Sequence, residues 1–384
     1  MSGKVIVIGG GITGSAVAYD LSLRGMKVVL LERGSIGSGT SGRTHGLLHS
    51  GCRYIKDPQV AAECYRENMI LRKIAPFLFE TNGGLFVAIT DEDMEYRERF
   101  LNGCEKSGIP VKEIRREEAL KLEPNLNENL KAAIVVPDGT FDPLKVILSF
   151  LASAKARGAE IRPFNEVVGF VKEGDSVVGV KVWDKISERE YILKADIIVN
   201  ATGAWGGKVG KLAGITVPVK PAPGVMVSLD ERLVDMVINR LNPPSDGDII
   251  LSHRSTSVIG TTSWYIDDPD EVEVPKEHVE RLIKRGAEMV PAVKKTRIRS
   301  VYVSSRPLIA GLREGSREVS RSFAVIDHEK EGVYGIISVI GGKFTTARLM
   351  AEKVVDLVCE KLGVEAQCRT QHEPLLKYYH YFRM

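Results

Sequence analysis

The segment that most restricts the fold lies at the start of the chain. Lys4-Val5-Ile6-Val7-Ile8 is a short β-branched run of the kind that forms a buried parallel strand. It runs into Gly9-Gly10-Gly11-Ile12-Thr13-Gly14, then into a helix-compatible stretch from Ser15 to Arg24 that Gly25 stops. Lys27-Val28-Val29-Leu30-Leu31 starts a second strand, which ends at Glu32. The result is a βαβ unit with Gly-x-Gly-x-x-Gly at its turn and an acidic residue after its second strand. Each part has a mechanical reason. Gly9 permits the tight turn, Gly11 lets the backbone approach a pyrophosphate, and Gly14 allows close helix–strand packing. The helix N-terminus offers N–H groups and positive dipole to phosphate. Glu32 can accept hydrogen bonds from both hydroxyls of an adenosine ribose. The pattern predicts dinucleotide binding, with Ile12, Thr13 and Arg33 beside it among the cofactor contacts.

That motif alone does not separate FAD from NAD. Soon after Glu32, however, comes a second small-residue loop, Gly37-Ser38-Gly39-Thr40-Ser41-Gly42-Arg43-Thr44-His45-Gly46. It can bring hydroxyls and N–H groups to a long cofactor lying across the sheet. A third cluster, Gly341-Gly342-Lys343-Phe344-Thr345-Thr346, opens the last predicted helix. It resembles a P-loop fragment, but Phe344 stands where magnesium binding needs Ser or Thr, which excludes nucleoside-triphosphate hydrolysis. Two anion-friendly turns near opposite ends of the chain fit an extended FAD better than NAD.

At 384 residues the length predicts two or three domains. A hydrophobic share of 43% and a charged share of 27% are those of an ordinary globular protein. A net charge of +3 with no Lys/Arg-rich tract gives no reason to expect nucleic acid. No apolar run approaches the roughly 18–20 residues that span a bilayer. Val5–Ile8 runs straight into glycines, unlike a signal peptide. A cytoplasmic protein is expected, with peripheral membrane contact left open. The five cysteines form no CxxC pair, so reduced thiols are expected, with no disulfide framework and no metal site. Glutamine is scarce (Gln59, Gln367 and Gln371) beside abundant charge, a lean towards a thermophilic source.

Further along, Asp57-Pro58 reads as an N-cap and first helical proline for a helix to about Ile74. Other helices are predicted at Asp91–Ser107, Arg115–Leu122, Pro143–Ala156, Lys276–Met289 and Thr345–Lys361. Strands are predicted at Gly84–Ile89, Val177–Val182, Ile197–Asn200, Val217–Val227, Ile249–Leu251, Ser257–Ile259 and Val333–Val339. Several alternate and lie close together, which suits an antiparallel sheet. The fold class is therefore α/β: a Rossmann-like FAD-binding domain interleaved with an α+β substrate domain built on an antiparallel sheet. The division places residues 1–75, 140–215 and 305–384 in the first domain, and 76–139 and 216–304 in the second.

Several segments add a family likeness to this reading. They are Gly42-Arg43-Thr44-His45-Gly46-Leu47-Leu48-His49-Ser50-Gly51-Cys52-Arg53-Tyr54, Glu67-Asn68-Met69-Ile70-Leu71 and Val136-Pro137-Asp138-Gly139-Thr140. Asn200-Ala201-Thr202-Gly203-Ala204-Trp205, Ile259-Gly260-Thr261-Thr262-Ser263, Arg306-Pro307-Leu308 and the Gly341–Thr346 cluster continue it. Over almost its whole length the chain resembles the FAD-dependent glycerol-3-phosphate dehydrogenases, in particular the catalytic A subunit of the anaerobic bacterial enzyme. These lie within the D-amino-acid-oxidase-like flavoprotein superfamily.

The resemblance implies oxidation of sn-glycerol 3-phosphate to dihydroxyacetone phosphate, with hydride passing from C2 to flavin N5. Electrons would then go to a quinone or a partner redox protein, so partner subunits are implied. It implies that Arg53, Tyr54, Arg306 and Lys343 line the substrate pocket. The chemistry agrees, because a phosphate dianion suits arginine forks. A base must take the hydroxyl proton; His49 is the first candidate and Lys343 the alternative, the lysine otherwise acting as a fixed charge. Arg306 completes the catalytic set. The cofactor contacts carried over are Gly39, Thr40, Ser41, His45, Gly46, Leu48, Val168, Ala201, Thr202, Gly203, Trp205, Gly341, Gly342, Lys343, Phe344 and Thr345. Trp205 is read as core or a cofactor shelf.

Two other functions suit the same residues: oxidation of another small acid, such as 2-hydroxyglutarate or an amino acid, and a non-catalytic flavin-binding role in a larger complex. The family's catalytic chain continues into a cysteine-containing domain. This sequence ends at Met384, and Cys359 and Cys368 alone supply no iron–sulfur set, so the family's electron route is not carried over. The aromatic tail from Leu375 to Arg383 either docks on a partner or membrane surface or folds back on the core.

Overall fold

The structure is a computed structural model, and it describes residues 3–310 and 322–384. The Lys4–Ile8 strand is buried from Val5 onward, as its uninterrupted apolar sequence requires. It pairs in parallel with Lys27–Leu31 on one side and Ile197–Asn200 on the other. Ile336–Gly341 extends the parallel set, Phe323–Asp327 adds an antiparallel edge, and Glu160–Arg162 closes the other edge, giving six strands.

One face of this sheet carries the helices Ile12–Leu23, Pro143–Lys155 and Ala347–Leu362. The first of these sits between the other two, and every one of its residues except Thr13 is buried. The opposite face is covered by a three-stranded antiparallel meander, Asn165–Glu173, Ser176–Asp184 and Arg189–Lys194, through Val167, Val177, Val180 and Val182. Two of these three strands were not expected from the sequence.

The second sheet has eight strands and is antiparallel, with one exception: Val237–Arg240 runs parallel to Gly84–Ala88. The sheet is thus built on antiparallel pairing, as expected, with this one parallel pair inside it. Both strands are buried on both faces, the environment that parallel pairs favour. The helix Lys276–Met289 packs Leu282, Ala287 and Met289 against one face, over Val225, Val227, Ile250 and Ile259. Asp91–Lys106 covers Phe86 and Ile134 from the other. The expected architecture, a Rossmann-like sheet interleaved with a substrate sheet, is the one found.

The strands of the six-stranded sheet fall at residues 4–31, 160–200 and 323–341, and those of the eight-stranded sheet at 84–136 and 219–309. The expected third segment of the nucleotide domain, 305–384, includes residues 311–321, which lie outside the described residues, as do residues 1 and 2 of the first segment. The Ile298–Ile309 strand crosses position 305 without a break.

Local signals act where they were read. Asp57 accepts from the Val60 N–H at 3.2 Å, with Pro58 opening its helix. Pro124 follows a helix that ends at Leu122. The C-terminal tail folds back on the core. Leu375 N donates to Ile74 O, Leu376 N to Ser153 Oγ, and Lys155 Nζ to Tyr381 O. No helix among the described residues is long and apolar enough to cross a membrane.

Candidate active site

Between the two sheets lies a cavity of about 1180 Å³, larger than the ~300–1,000 Å³ of ordinary small-molecule pockets. Its floor is the glycine turn. Gly9 has φ +110°, and a Cβ there would lie 2.7 Å from Ala201 O; a Cβ on Gly14 would lie 2.0 Å from Gly9 O. Only glycine lets these backbones approach so closely. Gly11 caps the helix without a side-chain acceptor, so the first-turn amides look towards the cavity; Ile12 N donates to Ser41 Oγ at 3.0 Å. Glu32 is fixed by the N–H groups of Gly10 (2.7 Å) and Gly34 (2.8 Å), and it lines the cavity. A long, glycine-lined cleft with an oriented carboxylate beside a helix N-terminus fits an adenine dinucleotide.

The wall beyond Glu32 is a charged clasp. The Arg33 guanidinium stacks 4.6 Å from the centre of the Trp205 ring. Arg33 Nη2, Trp205 Nε1 and Lys208 Nζ converge on Asp270 at 2.6, 2.7 and 2.7 Å. These partners hold the Asp270 carboxyl below its ordinary range despite its partial burial. The second glycine loop is tied to the Ile298–Ile309 strand: Thr40 Oγ1 donates to Ser305 O at 2.6 Å, and Ser304 Oγ to Thr40 O at 3.0 Å.

His49, Arg53, Tyr54, Arg306 and Lys343 line the same cavity. The His49 backbone is pinned on every side. Its N–H donates to Thr345 Oγ1 at 3.3 Å, Asn68 Nδ2 donates to its carbonyl at 3.0 Å, and the next N–H, of Ser50, donates to Asp138 Oδ1 at 2.7 Å. Asp138 is fully buried; desolvation raises its carboxyl while the bonds from Ser50 oppose the rise. The His49 ring meets the Tyr54 ring edge-on at 5.3 Å, and Lys343 Nζ lies 4.6 Å from the Tyr54 ring centre. Arg53 Nη2 pairs with Asp248 Oδ2 at 2.8 Å, with both side chains buried, while Arg53 Nη1 is buried with no hydrogen-bond partner among the described residues. Arg306 donates to Ala222 O, Pro223 O and Thr262 O at 3.2, 3.1 and 2.6 Å. Gly224 makes room for it: a Cβ there would be 2.7 Å from Arg306 Nη2.

Of the cofactor contacts expected from sequence, Gly9, Gly11, Ile12, Thr13, Glu32, Arg33, Gly39, Thr40, Ser41 and His45 line the cavity, as do Ala201, Thr202, Gly203, Trp205, Gly341, Gly342, Lys343 and Phe344. Gly14, Gly46, Leu48 and Thr345 are buried and do not line it. Val168 does not line it either. It is the extra residue of a β-bulge between Val167 and Gly169 and is 41% exposed, while Asn165, Glu166 and Val167 line the cavity in its place. Sequence reasoning missed Asp248, Asn68 and Asp138 as supports, and Lys56, Tyr96, Arg99 and Asp270 in the wall. Asn68 and Asp138 stand in segments already quoted for their family likeness; the others carry no local signal.

A family profile described as FAD dependent oxidoreductase matches residues 4–357. The chain is 42% identical over 388 residues to the A1 chain of the anaerobic glycerol-3-phosphate dehydrogenase of Haloferax volcanii, covering 97% of this chain and 66% of that protein. It is 41% identical over 380 residues to the A chain of the anaerobic Haemophilus influenzae enzyme, covering 98% and 68%. The chain thus spans about two thirds of the length of these relatives. Among solved structures, glycerol-3-phosphate dehydrogenase from Bacillus halodurans complexed with FAD aligns at TM-score 0.76 and 25% identity, covering 97% of this chain and 68% of that one. Glycine oxidase from Bacillus cereus shares the fold, at TM-score 0.76 and 22% identity over 94% of this chain and 96% of that one.

Proposed function

The chain belongs to the DAO family of FAD-dependent oxidoreductases, and from that premise we propose that it oxidises sn-glycerol 3-phosphate to dihydroxyacetone phosphate. The observation that carries the reading is that Arg53, Arg306 and Lys343 line one cavity with His49 and Tyr54. Arg53 has a buried guanidinium nitrogen with no partner among the described residues, and Arg306 and Lys343 line the same cavity. A neutral or singly charged substrate gives no reason for so many; a phosphate dianion does.

FAD, when bound, supplies the two-electron acceptor for the hydride that leaves C2. The chain's own groups bind and orient the substrate and manage the proton. Arg53, aimed by Asp248, faces the cavity and receives the phosphate. Arg306, held by three carbonyls, is a fixed cation that need not reorganise as charge develops. The hydroxyl proton goes to the His49 imidazole, whose backbone anchors to Asn68, Thr345 and Asp138 fix where the ring starts. Lys343 stabilises the developing alkoxide, and it is the alternative base. In this reading residues 1–75, 140–215 and 305–384 form the FAD-binding domain, and 76–139 and 216–304 the substrate domain. The electrons leave to a quinone or a partner redox protein.

The test is anaerobic mixing of the yellow protein with glycerol 3-phosphate, 2-hydroxyglutarate and amino acids, followed by dye-coupled turnover. Bleaching and turnover with glycerol 3-phosphate are expected. Turnover only with a hydroxy acid or amino acid would overturn the substrate assignment, and a flavin that stays yellow with all of them would mean a non-catalytic flavin-binding role.

A further inference from the structure

The cysteines have no sequence pairing, but the fold gives them one. Cys52 opens the 3-10 turn Cys52–Tyr54 that carries Arg53 and Tyr54. Cys104 sits near the end of the Asp91–Lys106 helix, which sends Tyr96 and Arg99 into the same cavity. The two sulfurs are 3.7 Å apart, and both side chains are buried. A glycine brings the segments together: a Cβ on Gly103 would lie 2.7 Å from Ile55 Cβ, so the helix presses on the turn beside Cys104. Cys64, Cys359 and Cys368 contact His49 O, Arg24 Nη1 and Thr370 Oγ1 instead.

We propose that Cys52 and Cys104 form a reversible disulfide that switches the substrate wall between two redox states. The oxidant is a small peroxide, which must reach two sulfurs buried behind the cavity wall. One thiolate attacks a peroxide oxygen, the O–O bond breaks, and a sulfenic acid and water (or an alcohol) result. The second thiol then attacks the sulfenic sulfur, expelling water. The two sulfurs lose two electrons, which the peroxide gains, and a thiol reductant reverses the change.

Burial pushes the Cys52 thiol well above its ordinary value, so its thiolate is scarce at neutral pH and its attack on peroxide speeds up as pH rises. A disulfide needs its sulfurs ~2.05 Å apart, so they must close by roughly 1.7 Å. Gly103 and Ile55 already touch, leaving little slack, and the turn bearing Arg53 moves with Cys52. The Arg53–Asp248 ion pair is the contact that is strained. A displacement of about 1 Å in a substrate-positioning group can cost on the order of a hundredfold.

The experiment treats the FAD-loaded chain with dilute hydrogen peroxide, alkylates it, and maps thiols and peptides by mass. A Cys52–Cys104 crosslink, two of the five thiols lost, and recovery with dithiothreitol are expected. In the crosslinked form KM for glycerol 3-phosphate is expected to rise at least about tenfold, with the flavin spectrum unchanged. Cys104→Ser and Cys104→Ala should keep the reduced KM and ignore peroxide. All five thiols alkylated after treatment, sulfinic acid at Cys52 without a crosslink, or a crosslink with unchanged KM would each overturn the proposal. The KM arm rests on the substrate assignment, so turnover of the reduced protein is measured first. If the reduced protein does not turn over, that assignment fails, and the thiol map alone still decides the disulfide.

Discussion

Glu123 lies just past the helix Arg116–Leu122 and is 2% exposed. Its carboxylate accepts from Asp235 N at 2.8 Å and from Met236 N, tying the helix end to the approach of the Val237–Arg240 strand. Burial pushes this carboxyl from 4.5 up to about 7, against the pull of the two N–H donors. The unfolded chain releases the proton near pH 4.5 while the folded chain holds it to about 7. The folded state therefore binds more protons throughout that interval. Stability that is complete below 4.5 falls as pH rises and stays lost above about 7. At ~1.4 kcal/mol for each tenfold change in proton affinity, the loss is about 3 kcal/mol.

Glu123→Gln keeps an oxygen for both N–H groups and has no charge to desolvate. It is expected to match the wild type near pH 4.5–5 and to exceed it by up to about 3 kcal/mol at pH 8. With an unfolding entropy of ~2.1 cal/mol/K per residue over 384 residues, that is about 4 °C in Tm. Calorimetry of both proteins at matched ionic strength from about pH 5 to 8 reads it directly. Two melting curves separated by a pH-independent offset would refute the argument. A variant less stable at pH 8 would mean that the two N–H donors outweigh desolvation and that Glu123 is charged when folded.

Three further outcomes are expected. Arg306→Ala should raise KM for glycerol 3-phosphate about 10- to 100-fold while FAD stays bound, as loss of a charge-assisted contact predicts; loss of flavin absorbance on purification would contradict its role at the substrate. Gly14→Ala sets a Cβ 2.0 Å from Gly9 O, so the variant should purify without flavin; a yellow, FAD-saturated variant would contradict the close-packing argument. Arg348 and Glu67 form a buried ion pair at 2.6 Å between the Ala347–Leu362 and Pro58–Ile74 helices. Glu67→Ala leaves Arg348 only Glu352 at 2.7 Å and Thr370 Oγ1 at 2.9 Å, and it should cost roughly 1–3 kcal/mol in urea unfolding; an unchanged midpoint would refute it.

What could be read from sequence follows physical range. The Gly9–Gly14 turn, Glu32, and the Asp57-Pro58 helix start were legible because each signal lies within a few residues of its effect. The Arg189–Lys194 strand was not, since its exposed face makes it read as a polar loop. The Ile298–Ile309 strand hid behind Pro307 and its arginines; it runs along a sheet edge, where a proline costs no interior ladder bond. Val168, expected among the cofactor contacts, is the extra residue of a bulge and does not line the cavity, and nothing in the local sequence marks that bulge. Asp248 stands 195 residues from Arg53, and Cys104 stands 52 from Cys52, so no local pattern could join either pair.

The order of strands in the six-stranded sheet also bears on how the chain reaches its native state. Lys4–Ile8 finds its neighbour at Ile197–Asn200, and that strand finds its own at Ile336–Gly341. During synthesis the first βαβ unit must therefore wait, with an unsatisfied strand edge, until the ribosome has delivered about half of the chain. Loops of this length close slowly, and folding dominated by such distant pairings is slow and exposed to aggregation. Neither sheet can be excised as a contiguous fragment, and a nascent chain stalled before Ile336 would present the Ile197–Asn200 edge as a site for chaperone capture or misassembly.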